Sequence, residues 1–155
     1  CPEGSVIVRS REVTPKEERD NISIEHAVGF ELTRKCLGER RITAFVAVND
    51  MVAYGVLDAL VREGYRVPED FSLCGFDNVT SSGYQRIQLT TVDNNTFSHG
   101  KSAFNLLLER IEDGRVTLER MSDDGYREDQ PINRVEYRSR LIVRGSTGKP
   151  RSGSL

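Results

Sequence analysis

Apolar runs and one amphipathic helix pattern alternate in the middle of the chain. Residues 42–48 are almost wholly apolar without alternation, which is typical of a strand covered on both faces in a parallel sheet. An apolar stripe at helical spacing follows over residues 51–63, and a second apolar run covers residues 71–76. The pattern predicts a strand, a helix and a strand, with Asn49 after the first strand and Asp77 after the second.

This unit predicts a polar rim. A crossover of this kind is almost always right-handed and makes its two strands parallel, so both carboxyl ends open on one edge of the sheet. We therefore expect Asn49 and Asp77 on the same rim, where an amide and a carboxylate can hydrogen-bond a small polar ligand. The alternative is structural: Asn49 and Asp50 cap the helix, and Asp77 shapes a turn.

Weaker patterns flank the unit. In chain order they predict a strand at residues 6–8, a helix at 24–37 between Ser23 and Gly38 as caps, a strand at 89–92, a helix at 96–114, and a strand at 135–143. Residues 115–134 are charged without periodicity, which predicts a solvated loop. The last ten residues are rich in Gly, Pro and Ser and predict a loose tail.

Composition narrows the class of protein. The 155 residues, 37% hydrophobic and 30% charged, fit one globular domain. The net charge of -2 arises from 22 basic and 24 acidic residues that are interspersed, so this stretch offers no DNA-binding surface. It has neither a membrane-length apolar run nor a secretory signal pattern, and its three cysteines lack CxxC spacing. We expect a cytoplasmic protein without a membrane partner.

Little in the sequence points to catalysis. The two histidines, His26 and His99, cannot assemble a nucleophile-base triad or a zinc site, so no catalytic residue, metal or cofactor is expected. Gly148 and Lys149 lack the leading Gly and the following Ser or Thr of a phosphate-binding loop. An enzyme that uses Asp77 as base or nucleophile at a strand end is the remaining catalytic alternative.

Four motifs carry a family resemblance. They are Thr43-Ala44-Phe45-Val46-Ala47-Val48-Asn49-Asp50, Arg66-Val67-Pro68-Glu69-Asp70-Phe71-Ser72-Leu73-Cys74-Gly75-Phe76-Asp77, Leu89-Thr90-Thr91-Val92 and Val143-Arg144-Gly145-Ser146-Thr147. In this order and at this spacing they resemble the lactose-repressor/galactose-repressor (LacI/GalR) family of bacterial transcription regulators. The resemblance runs from about Val6 to Thr147.

The resemblance implies an α/β fold with a parallel sheet, the type I periplasmic-binding-protein-like sensor. In that family two subdomains hold a small-molecule effector, often a sugar or nucleobase, in the cleft between them. By similarity, the helix-turn-helix, the hinge and most of the N-terminal subdomain would precede Cys1, so we expect mainly the C-terminal subdomain of a longer protein. The expected organisation is the C-terminal subdomain at 1–92, a crossing segment and helix of the N-terminal subdomain at 93–114, a charged loop at 115–134, a final strand at 135–147 and a flexible tail at 148–155.

The resemblance also implies the ligand residues. Asn49 and Asp77 match family positions that hydrogen-bond the effector, and Asn94 lies in the crossing segment that lines the cleft. Ile24 stands where many members carry an aromatic ring that stacks on the ligand. Because Ile24 offers only apolar contact, a planar or pyranose ligand stacked at that place is less favoured.

A homodimer is the second implied feature. The helix at 51–63 matches a dimerisation element in which Tyr54 and Leu57 meet the partner helix and Tyr84 lies nearby. The same apolar stripe can also be ordinary core, and the two roles are compatible because the stripe is wider than a narrow seam. Operator DNA would be bound only through the N-terminal module.

Two further expectations follow. The face formed by Phe97, Phe104 and Leu107 packs on the N-terminal subdomain in the family, so we expect it to lack that partner here and to be covered by another chain. A transport-type sugar-binding protein of the same fold is the alternative function. A signal peptide upstream of Cys1 would favour transport, and a helix-turn-helix there would favour regulation.

Overall fold

Parallel strands form most of the sheet. The computed structural model describes residues 9–10, 12, 24–37, 42–84, 88–112 and 136–150. The four strands within these residues form one sheet in chain order: β1 (Ala44–Val46), β2 (Ser72–Phe76), β3 (Thr90–Asp93) and β4 (Arg140–Ile142). β1, β2 and β3 run parallel, and β4 pairs antiparallel with β3. A mainly parallel sheet is what the resemblance implies.

Three α-helices and a short 3₁₀ helix complete the described elements. They are α1 (Ile24–Cys36), α2 (Asp50–Arg62), the 3₁₀ helix (Thr80–Gly83) and α3 (Thr96–Glu112). The chain divides into two compact units, one made of residues 1–93 and 140–155 and the other of residues 94–139. The predicted strand at 6–8, the predicted loop at 115–134, the predicted caps Ser23 and Gly38, and the last two residues of the helix predicted at 96–114 lie outside the described residues.

The core of the first unit lies between α2 and the sheet. The predicted stripe of α2 supplies Ala53, Val56 and Leu60, which are buried. They pack with Ala47, Phe71, Leu73 and Leu89 into one cluster. Full burial of each large aliphatic side chain contributes about 1.5–3 kcal/mol relative to exposure, so this cluster fixes α2 on the sheet. The start of α2 is thereby held at the carboxyl end of β1.

Small residues let α1 and α2 approach closely. A Cβ atom on Gly29 would lie 2.2 Å from the carbonyl oxygen of Val52, and one on Gly55 would lie 1.9 Å from the carbonyl oxygen of His26. Both distances are shorter than any real Cβ contact, so only glycine permits this crossing. The close packing places the first turn of α1 next to the first turn of α2.

The structure corrects the sequence prediction for the first strand. Residues 42–48 were expected to be covered on both faces, but Val46 is 84% exposed and Val48 is 78% exposed. β1 is also shorter than the apolar run and lies at the edge of the described sheet. Phe45 points the other way and packs against the core, with its ring centroid 5.5 Å from that of Phe71. Apolar composition alone does not show which elements cover a face.

Residues 146–148, where the predicted loose tail begins, make specific hydrogen bonds. Ser146 is buried, and its backbone oxygen accepts a hydrogen bond from the Leu73 N–H at 2.8 Å. Its hydroxyl accepts from the Thr90 N–H at 2.7 Å and donates to the Leu73 carbonyl at 2.6 Å. Gly148 exchanges two hydrogen bonds with the Ser72 hydroxyl. Residues 146–148 therefore join β2 to β3.

The second unit exposes an apolar helix face. No residue of α3 is buried within this chain, and Phe97 is 85% and Phe104 61% exposed. Tyr137 packs its ring 4.6 Å from the His99 ring and accepts or donates a hydrogen bond with the Ser102 hydroxyl. The face predicted to lack its partner is thus exposed in this chain.

Among the residues that the structure describes, no helix has the length and apolarity needed to cross a membrane.

Candidate functional site

The register of β1 and β2 brings Asn49 and Asp77 to one edge of the sheet. Val46 and Cys74 are partners in the parallel ladder, and each of the two polar residues lies three positions beyond its member of that pair. Since the strands run the same way, both residues follow the carboxyl ends of their strands. The structure places them on the shared rim that the crossover predicts.

Asn49 is the N-cap of α2. Its Oδ1 accepts a hydrogen bond from the Val52 N–H at 2.8 Å, and its backbone is extended as at most N-caps. The capping role that the sequence offered as an alternative is therefore confirmed. Its Nδ2 donates to the Glu25 Oε1 at 2.8 Å. A carboxamide has two donors and two lone pairs, so these two bonds use half of its capacity.

Glu25 is a rim residue that sequence reasoning missed. It lies in the first turn of α1, is exposed, and adds a second carboxylate beside Asn49. Acidic residues are common in the first turn of any helix, so the sequence carried no specific signal for this contact. Ile24, the predicted apolar contact, precedes Glu25 as the first residue of α1 and is half-buried.

A left-handed turn carries Asp77. Asp77 has a φ of 103° and Asn78 a φ of 51°, two consecutive non-glycine residues with positive φ. Such conformations cost about 1–3 kcal/mol each and persist only where surrounding contacts hold them. Here the Asp77 N–H donates to the Val92 carbonyl at 2.9 Å, and the Asn78 N–H donates to the Thr91 hydroxyl at 3.3 Å. The predicted turn role of Asp77 is real, and the turn continues the β2–β3 ladder.

Asp50 is a buried carboxylate that holds the loop after β2. Its Oδ2 accepts from the Val79 N–H at 3.0 Å and from the Ser82 hydroxyl, and its Oδ1 accepts from the Thr91 hydroxyl at 2.6 Å. Asp50, Ser82 and Thr91 are completely buried. As the first residue of α2, Asp50 also lies at the positive end of the helix dipole, which stabilises its charge. Its role is therefore to organise the loop, and Asn49 is the cap.

The carboxylate of Asp50 limits the space at Gly75 and affects the pKa of Cys74. A Cβ on Gly75 would lie 2.2 Å from the Asp50 Oδ1, so only glycine leaves room for the carboxylate beside β2. Burial, and secondarily the negative charge of Asp50, raises the pKa of the Cys74 thiol above its ordinary value. Cys74 thus stays a neutral thiol at physiological pH, which does not favour a nucleophilic role.

The three predicted dimer residues lie on or near α2. The Tyr54 hydroxyl is 2.7 Å from the Ser81 Oγ and 3.0 Å from the Ser82 Oγ, so its polar end is satisfied within the chain. Leu57 is half-buried and packs against the core. Tyr84 follows the 3₁₀ helix and is 60% exposed.

Asn94 belongs to the second unit. It directly follows β3, and its Oδ1 accepts a hydrogen bond from the Thr96 hydroxyl at 2.5 Å. Within the described part of the chain, no group of three or more metal-ligating side chains occurs.

The rim of the first unit consists of two carboxylates and one carboxamide, Asp77, Glu25 and Asn49. This set accepts more hydrogen bonds than it donates, which suits a neutral ligand rich in hydroxyl or N–H donors.

Comparison with known proteins shows the family. Residues 6–147 match the periplasmic binding protein-like domain. The chain is 34% identical over 119 residues to the HTH-type transcriptional repressor PurR of Haemophilus influenzae, a match that covers 76% of this chain and 32% of that protein. The chain therefore spans about a third of the length of this relative.

Solved structures agree. A LacI-family transcriptional regulatory protein from Corynebacterium glutamicum superposes with a TM-score of 0.61 at 32% identity, covering 82% of this chain and 43% of that one. A LacI family transcriptional regulator from Enterococcus faecium with bound ribose superposes with a TM-score of 0.63 at 27% identity, covering 79% and 40%. The chain belongs to the periplasmic binding protein-like family, as part of the effector-binding domain of a LacI/GalR-type transcription regulator.

Proposed function

We propose that this chain is the effector-sensing and dimerisation part of a bacterial LacI/GalR-type regulator. It binds a small polar, sugar-like molecule, and that binding modulates how an N-terminal helix-turn-helix of the full-length protein holds operator DNA. The observation that carries the proposal is the pairing of Asn49 and Asp77 beyond the same registered strand pair, in a chain of this family. The protein would act in the cytoplasm, where operator DNA is found.

The chemistry of the rim supports a neutral polyol as ligand. Asp77 can accept hydrogen bonds from two adjacent hydroxyls, while the remaining amide hydrogen of Asn49 can donate to a ring or hydroxyl oxygen. Glu25 and Asp77 together would repel an anionic ligand such as a phosphorylated sugar. Ile24 adds apolar contact without stacking. One structural neighbour of this chain contains bound ribose, which is a ligand of this class. Asn94 stays a predicted further ligand residue.

Sensing requires that the ligand distinguish two states of the protein. A ligand shifts an equilibrium only by the difference between its affinities for the two states. For the regulator, we propose that the effector-bound state and the effector-free state differ in operator affinity. By linkage, operator DNA must then change effector affinity by the same factor.

Dimerisation would use the surface of Tyr54, Leu57 and Tyr84. Tyr84 is the residue with most exposed area, and large exposed aromatic side chains are enriched at protein interfaces. Tyr54 has its hydroxyl bonded within the chain, so the edge of its ring is what it would offer to a partner. Tyr54 and Leu57 lie on α2 and also pack against the core, and Tyr84 follows the 3₁₀ helix.

The relatives favour regulation over transport. The compared proteins are named as transcriptional regulators and repressors, and none of the three is named as a transport protein. A helix-turn-helix in the full-length protein is what the regulator proposal requires. A secretory signal in its place would support the transport-type alternative.

Calorimetric titration of the full-length protein tests the proposal. Ribose and a panel of other sugars and nucleobases would be titrated into the parent protein, Asp77→Asn and Glu69→Gln. Glu69 is an exposed carboxylate before the amino end of β2, so its variant removes the same charge at the opposite end of the strand. We expect one ligand to bind the parent and Glu69→Gln equally, and Asp77→Asn at least tenfold more weakly. Binding that leaves operator affinity unchanged, or no binding by any member of the panel, contradicts the proposal.

A further inference from the structure

Two positive φ angles in succession need support from outside the turn. Asp77 and Asn78 both adopt the left-handed region, although neither is glycine. Aspartate and asparagine tolerate this region better than other side chains, but a pair of them still depends on contacts that exclude alternative conformations. The contacts around the turn show where that support originates.

Arg144 supports the turn from the end of the chain. Its Nη2 donates to the Asn78 Oδ1 at 2.7 Å, and its Nη1 donates to the Leu89 carbonyl at 2.7 Å. Its backbone N–H also donates to the Thr90 hydroxyl at 2.9 Å, which fixes the arginine to the start of β3. A guanidinium can bridge two acceptors in this way because its N–H groups diverge in a rigid plane. Arg144 therefore connects the side chain of Asn78 to β3.

Asp50 supports the residue after the turn. Its buried carboxylate accepts the backbone N–H of Val79, the residue directly after Asn78. The same carboxylate is bonded to the Thr91 hydroxyl, and that hydroxyl also accepts the Asn78 N–H. Asn78 is thus held through its side chain by Arg144, through its N–H by Thr91, and through its neighbour by Asp50.

We propose that Arg144 and Asp50 are positioning residues of the effector site. They do not contact the effector themselves; they fix the left-handed turn so that Asp77 faces it. The inference rests on the proposed function of Asp77. Neither residue is close to Asp77 in sequence; Arg144 bonds the Asn78 side chain, and Asp50 bonds the N–H of Val79. A turn fixed before binding has no ordering cost to meet when the effector binds, so affinity depends on both supports.

Asn78→Gly separates positioning from folding. Glycine adopts a φ of 51° without strain, so this variant relieves the backbone while it removes the acceptor of the Arg144 Nη2. The bond from Arg144 to the Leu89 carbonyl remains, so Arg144 stays anchored beside β3. We expect the melting temperature to be retained, the affinity for ribose to fall about tenfold or more, and amide exchange at residues 77–79 to accelerate by a similar factor.

The experiment uses the full-length protein, with ribose as the titrated probe and hydrogen exchange measured without ligand. Arg144→Lys, which keeps the charge but cannot bridge both acceptors, is expected to show the same loss. Arg66→Met is the control, because Arg66 is exposed and lies before the amino end of β2.

The outcomes are distinguishable. If Asn78→Gly and Arg144→Lys bind ribose like the parent while Asp77→Asn does not, the proposed function stands and the positioning role is wrong. Parent and Asp77→Asn binding ribose equally well overturns both. Unchanged amide exchange at residues 77–79 in Asn78→Gly overturns the positioning role whatever the titration shows. In Asn78→Gly, a purely structural role would lower the melting temperature and the affinity together.

Discussion

The crossing of α1 and α2 makes a quantitative prediction at Gly55. A methyl group there would lie 1.9 Å from the His26 carbonyl oxygen and 2.8 Å from its carbonyl carbon, whereas ordinary contact begins at 3.4 Å. The obstacle is backbone, so it cannot rotate away as a flexible side chain can. α1 would have to retreat by about 1.5 Å along its contact with α2. Gly55→Ala therefore tests whether this close approach exists.

The magnitude follows from two opposing terms. Alanine in a helix interior is favoured over glycine by about 1 kcal/mol. Overpacking costs about 1–3 kcal/mol, and more where backbone must move. We expect Gly55→Ala to lose about 2 kcal/mol net, which lowers the melting temperature of a domain this size by about 4–8 °C. Gly100→Ala in α3 has no atom within 4 Å of the added carbon and is expected to gain up to about 1 kcal/mol.

Urea unfolding of both variants, followed by circular dichroism, measures the two free energies. The same substitution in two helices should change stability in opposite directions. If Gly55→Ala is as stable as Gly100→Ala, α1 and α2 are further apart than described. The contact of Glu25 with Asn49, which depends on that approach, would then also be wrong.

Three further predictions concern the buried carboxylate, the thiol and the exposed tyrosine. Asp50→Asn should lower the free energy of unfolding by about 2 kcal/mol in urea titration. The amide NH₂ of asparagine would replace a carboxylate oxygen that accepts hydrogen bonds from buried N–H or O–H groups. An unchanged free energy would contradict the hydrogen bonds described for Asp50. Cys74 should be alkylated by iodoacetamide at pH 8 more slowly than a free cysteine, since burial and Asp50 raise its pKa. The stability contributed by its neutral form is present below the ordinary pKa of a thiol and is lost as the pH rises through the raised pKa, so a free energy of unfolding that does not fall in that direction would refute the shift. Tyr84→Arg should weaken a homodimer about tenfold in sedimentation velocity, while Val143→Arg, at a position that is also exposed, should not; equal effects would remove Tyr84 from the interface.

The strand, helix and strand around α2 could be predicted because their signals are local. The apolar stripe of α2 and the two apolar runs beside it lie within residues 42–76, and a parallel crossover then fixes where Asn49 and Asp77 lie. The exposed faces of Val46 and Val48 could not be predicted in this way. Whether a strand is covered on both sides depends on elements distant in sequence, and composition carries no record of them.

The roles of Asp50 and Arg144 could not be predicted from the sequence for a related reason. Asp50 looks like a second helix cap because it follows Asn49, and only the fold shows that its carboxylate meets hydroxyls 32 and 41 residues away. Arg144 belongs to a recognisable motif, but its bond to Asn78 spans 66 residues. Polar side chains that organise a turn distant in sequence follow no periodic pattern, whereas apolar residues that share a helix face do.

The central claim is that Asn49 and Asp77 hold the effector. A crystal structure of the full-length protein with the sugar that binds most tightly in titration tests it most directly. We predict a carboxylate oxygen of Asp77 and the amide nitrogen of Asn49 within about 2.6–3.2 Å of polar atoms of that sugar. A sugar bound elsewhere, with no polar atom within hydrogen-bond distance of Asp77 or Asn49, would contradict the account.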